Sequence, residues 1–359
     1  MKIPESHGIA IVGCGAIAHL NAQAIRKSKH AHLSFAVDVN LDSAAILGKK
    51  FDIPYSDRLE DALGNQNVEC VFICTPHYQH LPLTAVVAQA GKHVIVEKPM
   101  GVCLEDSRKI VQACKEAEVK LSVCYCMRYS ENIRFAKSYI ENGGLGELIG
   151  FQLTMLRDRS EKYLERDTWQ EGNPNWHGVK SKSGGGIFID NFSHYLDYLR
   201  YLTGAEMKSV QCQGGTYLIP ADVEDNLWAL LRTDEGAFGT IVAGSSIAGS
   251  GQENDYKIVN SFQRLWGTNG QIILIPELKI FSRKRIEEYE PNRWHTIKPK
   301  RKYNSGGAGL EERKEFVEKF AMAVLNDQEP DITGEDGIKV MEIIAAAYRA
   351  SKSGGSESL

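Results

Sequence analysis

The sequence predicts an α/β protein: a doubly wound parallel-sheet domain, followed by an α+β domain with an open, largely antiparallel sheet. Two patterns predict this class. Short apolar runs alternate with amphipathic stretches in the first third of the chain, and longer strand patterns follow one another afterwards. The length of 359 residues suits two domains at about 150 residues each. We expect domains at residues 1–126 and 127–352, and a disordered tail at 353–359.

The first domain is predicted from five apolar runs separated by helical patterns. The runs lack polar alternation, as expected of parallel strands that are buried on both faces. The stretches between them are about ten residues long, which suits helices that connect parallel strands. The predicted strands are residues 9–12, 33–37, 68–73, 93–96 and 120–124, and the predicted helices are residues 19–26, 42–51, 80–90 and 105–117.

The second domain is predicted from a change of rhythm near residues 125–133. Strand patterns follow without intervening helices, which favours an antiparallel sheet, and Thr268-Asn269-Gly270 is a turn candidate. One helix is expected to start near Asp190, and two helices are expected to close the chain. The predicted strands are residues 148–157, 208–217, 227–233, 238–246 and a group within 262–280, and the closing helices are residues 310–326 and 335–351.

Composition excludes several classes of protein. Hydrophobic residues make up 43% and charged residues 25%, with a net charge of −4, so we expect neither a disordered chain nor a protein that binds nucleic acid or membrane. No apolar run reaches the roughly 20 residues of a membrane-spanning helix. The eight cysteines form no C-x-x-C pair. We therefore expect buried cysteines, a cytoplasmic location and no metal.

A nucleotide site is predicted where the first strand ends. The sequence there reads Gly13-Cys14-Gly15-Ala16-Ile17-Ala18, a G-x-G-x-x-A turn before a helix, and Asp38 ends the next strand 20 residues later. A carboxylate at that place binds ribose hydroxyls and repels a 2′-phosphate, so we expect NAD rather than NADP. A glycine turn without a ligand and a methyltransferase are the alternatives.

Two further loops follow strands of the same sheet. The first reads Cys74-Thr75-Pro76-His77-Tyr78-Gln79-His80, and the second reads Glu97-Lys98-Pro99. Ligands of open α/β sheets bind at the carboxyl ends of the strands, so we expect Thr75, Pro76, His80, Glu97 and Lys98 to contact the cofactor. A lone lysine is more often a solvated surface residue, but Pro99 restricts the turn behind Lys98.

A second group of polar residues follows the glycine run 184–186. Asp190 and His194 are spaced i, i+4, which places both on one face of a helix. The alternative is structural: Asp190 as a helix N-cap and His194 as a packed helix residue.

Together these motifs resemble the family of glucose–fructose oxidoreductase, inositol dehydrogenase and MocA (Gfo/Idh/MocA), whose members are NAD(P)-dependent sugar and polyol oxidoreductases. The resemblance covers essentially the whole chain. It implies a Rossmann domain, a catalytic lysine at Lys98, and a catalytic aspartate–histidine pair at Asp190 and His194. It also implies a homodimer or homotetramer assembled through the second sheet.

The residue types suit hydride transfer between a ring secondary alcohol and nicotinamide. His194 would take the hydroxyl proton and Lys98 would stabilise the developing alkoxide. Asp190 would hold the substrate hydroxyl and orient His194, or Asp197 would orient it instead. Candidate sugar-pocket residues, several of them aromatic, are Arg128, Arg157, Tyr163, Trp169, Trp176 and His177.

Three questions stay open at this point. Residues 279–302 carry nine Lys/Arg against three Glu, which suits an anionic substrate, a neighbouring subunit or simply a solvated face. The leading hypothesis is a dehydrogenase for a sugar, sugar derivative or cyclic polyol. The alternatives are an NAD-dependent glycosidase that oxidises its substrate transiently, and a non-catalytic NAD- or sugar-sensing regulator.

Overall fold

The structure is a computed structural model that describes residues 6–157, 176–218, 221–245, 247, 261–299 and 308–359. The chain divides into two compact units. The first unit comprises Met1–Cys126 and Ala308–Met341, and the second comprises Met127–Gly307 and Glu342–Leu359. A parallel sheet forms the first unit and a mostly antiparallel sheet forms the second, so the predicted fold class is confirmed.

The first unit is built on a parallel sheet in the order β3-β2-β1-β4-β5-β6. Its strands are β1 (His7–Val12), β2 (Ala31–Val37), β3 (Tyr55–Ser56), β4 (Cys70–Ile73), β5 (His93–Val96) and β6 (Leu121–Val123). Its helices before residue 126 are α1 (Ala16–Lys27), α2 (Leu41–Phe51), α3 (Leu59–Leu63), α4 (His80–Gln89) and α5 (Leu104–Glu116). All residues of β1 and β4 are buried, which explains their uninterrupted apolar sequences.

The strand ends of this sheet are in register, and this register decides where the loops emerge. Val12 pairs with Val37 on one side and with Ile73 on the other, and Ile73 pairs with Val96. These are the last residues of β1, β2, β4 and β5. The four segments that follow them therefore leave the sheet along one edge.

The second unit contains a nine-stranded sheet in the order β14-β13-β12-β11-β7-β10-β9-β8-β15. Neighbouring strands are antiparallel except β7 and β10. The strands are β7 (Leu148–Leu156), β8 (Met207–Gly215), β9 (Asn226–Thr233), β10 (Phe238–Gly244), β11 (Phe262–Gly267), β12 (Gly270–Ile275), β13 (Lys279–Ser282), β14 (Trp294–Thr296) and β15 (Ser356–Ser358). The helices before residue 307 are α6 (Glu131–Glu141), α7 (Lys180–Ser183) and α8 (Ser193–Thr203). Thr268 and Asn269 connect β11 to β12, as the sequence predicted.

One face of this sheet is buried and the other is open. Along β9 the side chains alternate, with Leu227, Ala229 and Leu231 buried and Trp228 and Leu230 exposed. Successive residues of a strand point to opposite faces, so this period of two separates a core face from an open face.

The closing helices correct the predicted domain boundary. They are α9 (Leu310–Leu325) and α10 (Gly334–Ser353). Residues 308–341 belong to the first unit and not to the domain predicted at 127–352. The reason is packing: α9 lies against α1, and the Phe316 ring lies 6.4 Å from that of Phe72 on β4. An amphipathic helix pattern does not specify which sheet it covers.

The predicted disorder of residues 353–359 is wrong. β15 pairs antiparallel with β8, with Ser356 opposite Gln211 and Ser358 opposite Ser209. Arg349 of α10 also donates to the Ser358 carbonyl at 3.0 Å. A short polar segment carries no strand signal of its own, and the edge of β8 supplies the partner that orders it.

The cysteines follow the sequence prediction. All eight are free thiols and all but Cys103 are buried. Within the described ranges, none of the helices combines the length and the apolar character needed to cross a membrane.

Candidate active site

The turn between β1 and α1 requires glycine at its first position. Gly13 has a φ of +90°, and an added Cβ would lie 2.8 Å from the carbonyl carbon and oxygen of Cys74. Its N–H donates to the Val37 carbonyl at 2.8 Å. Gly15 differs, because an added Cβ there would meet nothing within 4 Å. The backbone therefore packs tightly at Gly13 and faces open space at Gly15.

The beginning of α1 is suited to a negatively charged group. Gly15 is its N-cap and supplies no side-chain acceptor, and the first turn contains no acidic residue. The first N–H groups of a helix have no partner within the helix, and the helix dipole adds partial positive charge there. The open space at Gly15 and this uncapped end fit the pyrophosphate of a dinucleotide.

Asp38 is held beside the same turn. One carboxylate oxygen accepts the Cys14 N–H at 2.7 Å, and the other accepts the Asn40 N–H at 2.9 Å. Burial, and secondarily the Asp38 charge, raise the pKa of the Cys14 thiol to about 12, so this thiol stays neutral. The two hydrogen bonds from Cys14 and Asn40 fix the Asp38 carboxylate beside the glycine turn, next to Val39, which is 96% exposed.

His80 lies behind the loops and not on their open side. Its ring is fully buried; Nδ1 lies 3.0 Å from the Pro99 carbonyl oxygen and Nε2 lies 3.1 Å from that of Thr75. Burial lowers the pKa of this imidazole. His80, predicted as a cofactor contact, therefore lies between the backbone carbonyls of both loops, and as a neutral imidazole it donates its one N–H to one side. Thr75 itself keeps a buried hydroxyl oxygen without a partner among the described residues.

Lys98 emerges at the same sheet edge as Gly13 and Asp38. The Lys98–Pro99 peptide bond is cis, and the Lys98 N–H donates to a carboxylate oxygen of Glu97 at 3.2 Å. Glu97 is only 5% exposed, so it too lies beneath the predicted cofactor site. The Lys98 side chain is partly exposed.

The glycine run of the second unit passes against a partly buried carboxylate, that of Glu224. Glu224 accepts the N–H of Gly186 at 2.8 Å, the N–H of Phe188 at 3.0 Å and the Tyr348 hydroxyl at 2.9 Å. An added Cβ on Gly186 would lie 1.8 Å from the Glu224 carbonyl oxygen, and one on Gly185 would lie 2.0 Å from the Tyr348 hydroxyl. Burial raises the pKa of the Glu224 carboxyl. This close packing explains the glycines.

Asp190 lies in a π-helical turn, Phe188–Phe192, that leads directly into α8 with His194. The sequence predicted a helix starting near Asp190, and the structure places it inside the turn rather than at an N-cap. Its N–H donates to the Gly186 carbonyl at 3.1 Å. π-Helical turns inside α-helices are frequent at functional sites. Asp190 is partly exposed, and His194 is 8% exposed.

Asp197 is engaged by Arg128. The Arg128 Nε and Nη2 atoms donate to the two Asp197 carboxylate oxygens at 2.8 and 2.5 Å, and both side chains are buried. The Arg128 guanidinium also lies 5.2 Å from the Tyr201 ring centroid. This bidentate ion pair gives both residues a structural role that needs no substrate. It favours Asp190 over Asp197 as the partner of His194.

Of the remaining pocket candidates, the structure describes Trp176, His177 and Arg157. Trp176 and His177 form a 3₁₀ turn with their rings stacked 3.7 Å apart, and both are partly exposed. The Arg157 N–H pairs with the Gly244 carbonyl. Tyr163 and Trp169 lie outside the described residues.

Two family models match the chain. The first, described as an oxidoreductase family with an NAD-binding Rossmann fold, matches residues 7–125, and the second, the GFO/IDH/MocA C-terminal domain, matches residues 133–273. The chain belongs to the GFO/IDH/MocA family. The resemblance stated from the sequence is confirmed, and the parallel-sheet unit is an NAD-binding Rossmann domain.

Three relatives of this GFO/IDH/MocA chain are similar to it in sequence over different lengths. Myo-inositol 2-dehydrogenase of Thermotoga maritima is 26% identical over 363 residues, 96% of this chain and 95% of the relative. Levoglucosan dehydrogenase of Pseudarthrobacter phenanthrenivorans is 26% identical over 264 residues, 66% of this chain and 63% of the relative. An uncharacterized oxidoreductase of Streptococcus pneumoniae is 27% identical over 207 residues, 57% of this chain and 52% of the relative. The chain thus spans less than two thirds of the last two.

A solved structure shares the fold over the whole chain. The WlbA dehydrogenase of Bordetella pertussis, solved with NADH and UDP-GlcNAcA, has a TM-score of 0.82 at 24% identity and covers 100% of this chain and 99% of its own.

The first unit of this GFO/IDH/MocA protein brings Gly13, Gly15, Asp38, Thr75 and Lys98 to one edge of one sheet, while the second places Asp190 and His194 on consecutive helical turns. Sequence reasoning missed Asn21, Glu224, Arg313 and Tyr348. Asn21, Arg313 and Tyr348 lie within helices and Glu224 lies in the loop before β9, and the spacing of each in the sequence relates it to no motif. An isolated polar residue on the apolar face of α1 or α9 was the only available signal.

Proposed function

We propose that this protein is an NAD-dependent oxidoreductase that transfers hydride between a ring secondary alcohol of a sugar, sugar derivative or cyclic polyol and nicotinamide. One observation carries the proposal. In the first unit the ends of β1, β2, β4 and β5 are in register, so the glycine turn, the ribose-binding carboxylate and Lys98 share one sheet edge. Ligands of open α/β sheets bind there.

In the proposed hydride transfer, each site residue has a separate role. Bound NAD supplies the hydride acceptor. His194 takes the proton of the substrate hydroxyl as general base, and Lys98 donates to the same oxygen and stabilises negative charge on it. Asp190 binds the substrate hydroxyl and orients His194. Trp176, His177, Tyr163 and Arg128 remain the proposed substrate-binding residues, with Arg128 acting from its ion pair with Asp197.

The cofactor is proposed to be NAD rather than NADP. Asp38 presents a fixed carboxylate at the end of β2, and Val39 and Asn40 follow it without an arginine. A 2′-phosphate would be repelled there, whereas two ribose hydroxyls would donate to the carboxylate.

An absorbance screen for NADH tests this function. The panel holds inositols, free aldoses, glycosides, sugar phosphates and nucleotide sugars, each with NAD and with NADP. Stoichiometric NADH from a ring alcohol supports the proposal. Cleavage of a glycoside without net NADH identifies the glycosidase alternative. Tight NADH binding without turnover of any compound identifies the regulator. The phosphorylated members, tested at several salt concentrations, decide whether residues 279–302 serve an anionic substrate.

We also propose a homodimer or homotetramer that forms through the open face of the second sheet, in the cytoplasm. The open face presents large apolar side chains, with Trp228, Leu230 and Phe238 each at least 40% exposed. Exposed apolar areas of this kind are typical of association surfaces. The buried free cysteines support a reducing compartment.

A further inference from the structure

A buried charged cluster lies beneath the carboxyl edge of the Rossmann sheet. Arg313 Nη1 donates to a Glu97 carboxylate oxygen at 2.9 Å and to the Asn21 side-chain oxygen at 2.6 Å. The Asn21 amide donates to the same Glu97 oxygen at 3.0 Å. All three side chains are buried, at 5% exposure or less. The cluster closes a triangle between α9, α1 and the end of β5.

The cluster is electrostatically balanced. Burial raises the pKa of the Glu97 carboxyl, but Arg313, Asn21 and Lys98 outweigh burial and hold it at about 2. The Arg313 pKa is raised by nearby negative charge, although burial opposes this. Glu97 is therefore a carboxylate and Arg313 a guanidinium at neutral pH. The other titratable groups around Glu97 are Lys98, His80, Cys74, Cys124 and Cys126.

The two Glu97 oxygens have different partners. One receives Arg313 and Asn21, and the other receives the backbone N–H of Lys98 at 3.2 Å. The charge-assisted bond from Arg313 Nη1 and the bond from Asn21 to one oxygen restrict rotation of the carboxylate. The orientation of the second oxygen, and with it the backbone from which Lys98 projects, thus depends on Arg313.

We propose that Arg313 is a positioning residue for Lys98 and acts through Glu97. The inference rests on the proposed role of Lys98 as the residue that donates to the reacting oxygen. It assigns a function to a residue 216 positions away from Glu97 in the sequence.

A purely structural ion pair is the competing explanation. Removing one member of a buried pair leaves an uncompensated charge and destabilises a protein whatever else the pair does. The test must therefore separate stability from the position of Lys98. The double variant Glu97→Gln with Arg313→Met does so, because it buries no lone charge.

The first measurement is amide hydrogen exchange, followed by mass spectrometry of a peptide that contains Lys98. The Lys98 N–H is bonded to Glu97 in the wild type, and Pro99 has no amide proton to confuse the result. We expect Arg313→Met and the double variant to exchange this amide at least 10-fold faster. Arg313→Lys should fall between them and the wild type, since an ammonium restores the positive charge but sits on a flexible stem without the planar guanidinium.

The second measurement is turnover with the best substrate of the screen, together with NADH affinity from fluorescence titration. We expect kcat to fall 10- to 100-fold in Arg313→Met and in the double variant, with KM and the NADH Kd within threefold of wild type. Lys314→Met is the matched control. Lys314 neighbours Arg313 on α9 but pairs with Glu318 at the surface, so both readouts should stay within twofold.

The outcomes distinguish this inference from the proposed function. A folded double variant that keeps wild-type exchange at Lys98, or more than half of wild-type kcat, overturns the positioning role. Lys98→Met is measured in parallel. If Lys98→Met retains turnover, the assigned role of Lys98 fails. If Lys98→Met loses turnover while the Arg313 variants keep it, only the role of Arg313 fails.

Discussion

At the scale of single residues, many polar side chains of this site contact backbone N–H or C=O groups. Asp38 accepts the Cys14 N–H, the His80 ring lies between two loop carbonyls, and Glu224 accepts the N–H groups of Gly186 and Phe188. Each bond is made by a side chain that is at least partly buried, where a hydrogen bond left unmade costs free energy. The loops that carry Lys98 and Asp190 are therefore held in place by the neighbouring side chains of His80 and Glu224.

The proposed catalytic residues give the first prediction. Lys98→Ala and His194→Ala should each lower kcat by 10²- to 10⁴-fold, the usual contribution of an acid–base group, and leave the NADH Kd within threefold. Lys92→Ala is the control, since Lys92 Nζ donates to the Val68 carbonyl, two residues before β4 begins. Steady-state kinetics and fluorescence titration measure both quantities. A variant that keeps more than a tenth of wild-type kcat contradicts the assignment.

Asp38 gives a prediction about cofactor choice. Replacing Asp38 with Ser and Val39 with Arg removes a carboxylate and adds a cation where a 2′-phosphate would lie. We expect kcat/KM with NADP to rise at least 10-fold and that with NAD to fall. Asp42→Ser, on the exposed first turn of α2, should change neither. An unchanged NADP/NAD ratio in the double variant would exclude Asp38 as the discriminating group.

Glu97 gives a prediction about stability and pH. Its pKa is about 2 in the folded state and 4.5 in the reference state, so its carboxylate stabilises the fold above about pH 4.5. This contribution is lost as the pH falls from about 4.5 to about 2. The difference in unfolding free energy between wild type and Glu97→Gln should therefore shrink over that range, as measured by urea denaturation. A constant difference would show that Glu97 does not titrate with a lowered pKa.

At the scale of elements, the glycine run and the π-helical turn together determine the position of Asp190. Gly185 and Gly186 let the chain pass Tyr348 and Glu224 without a Cβ in the way. The turn Phe188–Phe192 then delivers Asp190 ahead of α8. The i, i+4 spacing predicted one helical face, but hydrogen bonds to a carboxylate 36 and 38 positions away set the local geometry.

The close packing at the glycine run predicts that two glycine substitutions lower the unfolding free energy by different amounts. Gly186→Ala places a Cβ 1.8 Å from a backbone oxygen, so the chain must shift, and we expect a loss of about 3 kcal/mol in unfolding free energy. Gly204→Ala meets no atom within 4 Å and has only its φ of +70° to strain, which costs about 1 kcal/mol. Urea denaturation of both variants measures the difference. Equal losses would contradict the close-packing argument.

At the scale of the whole molecule, the second sheet is wide and open on one face. In β9 and β10 that face carries Trp228, Leu230 and Phe238, each at least 40% exposed, and β7 adds Gln152 opposite Thr240. Apolar side chains at neighbouring positions of adjacent strands form a continuous surface. Such a surface is stabilised by burial against a partner.

The open face predicts an effect on assembly. Trp228→Glu with Leu230→Lys should shift the protein toward monomer by at least 10-fold in dissociation constant, because charges would be buried at the interface. Tyr217→Glu is the control, since Tyr217 is 70% exposed but lies outside the strands. Sedimentation velocity measures the distribution. A monomeric wild type, or an unchanged oligomer in the double variant, would contradict the proposal.

The sequence alone predicted what depends on neighbours in the chain. The parallel sheet follows from apolar runs alternating with helical patterns, and the nucleotide turn follows from glycine spacing and Asp38. Lys98, Asp190 and His194 were predicted as catalytic residues because each lies within a short motif, and that role stays a prediction. Local patterns suffice here, because strand, turn and helix chemistry acts over a few residues.

Only the tertiary structure decided which distant segments meet. Residues 308–341 join the Rossmann unit, β15 completes the edge beside β8, and Arg313 reaches Glu97 across 216 positions. These contacts depend on shape and on burial of charge in a packed interior. An arginine on a helix has the same sequence pattern whether it faces water or a buried carboxylate, and packing alone makes the difference.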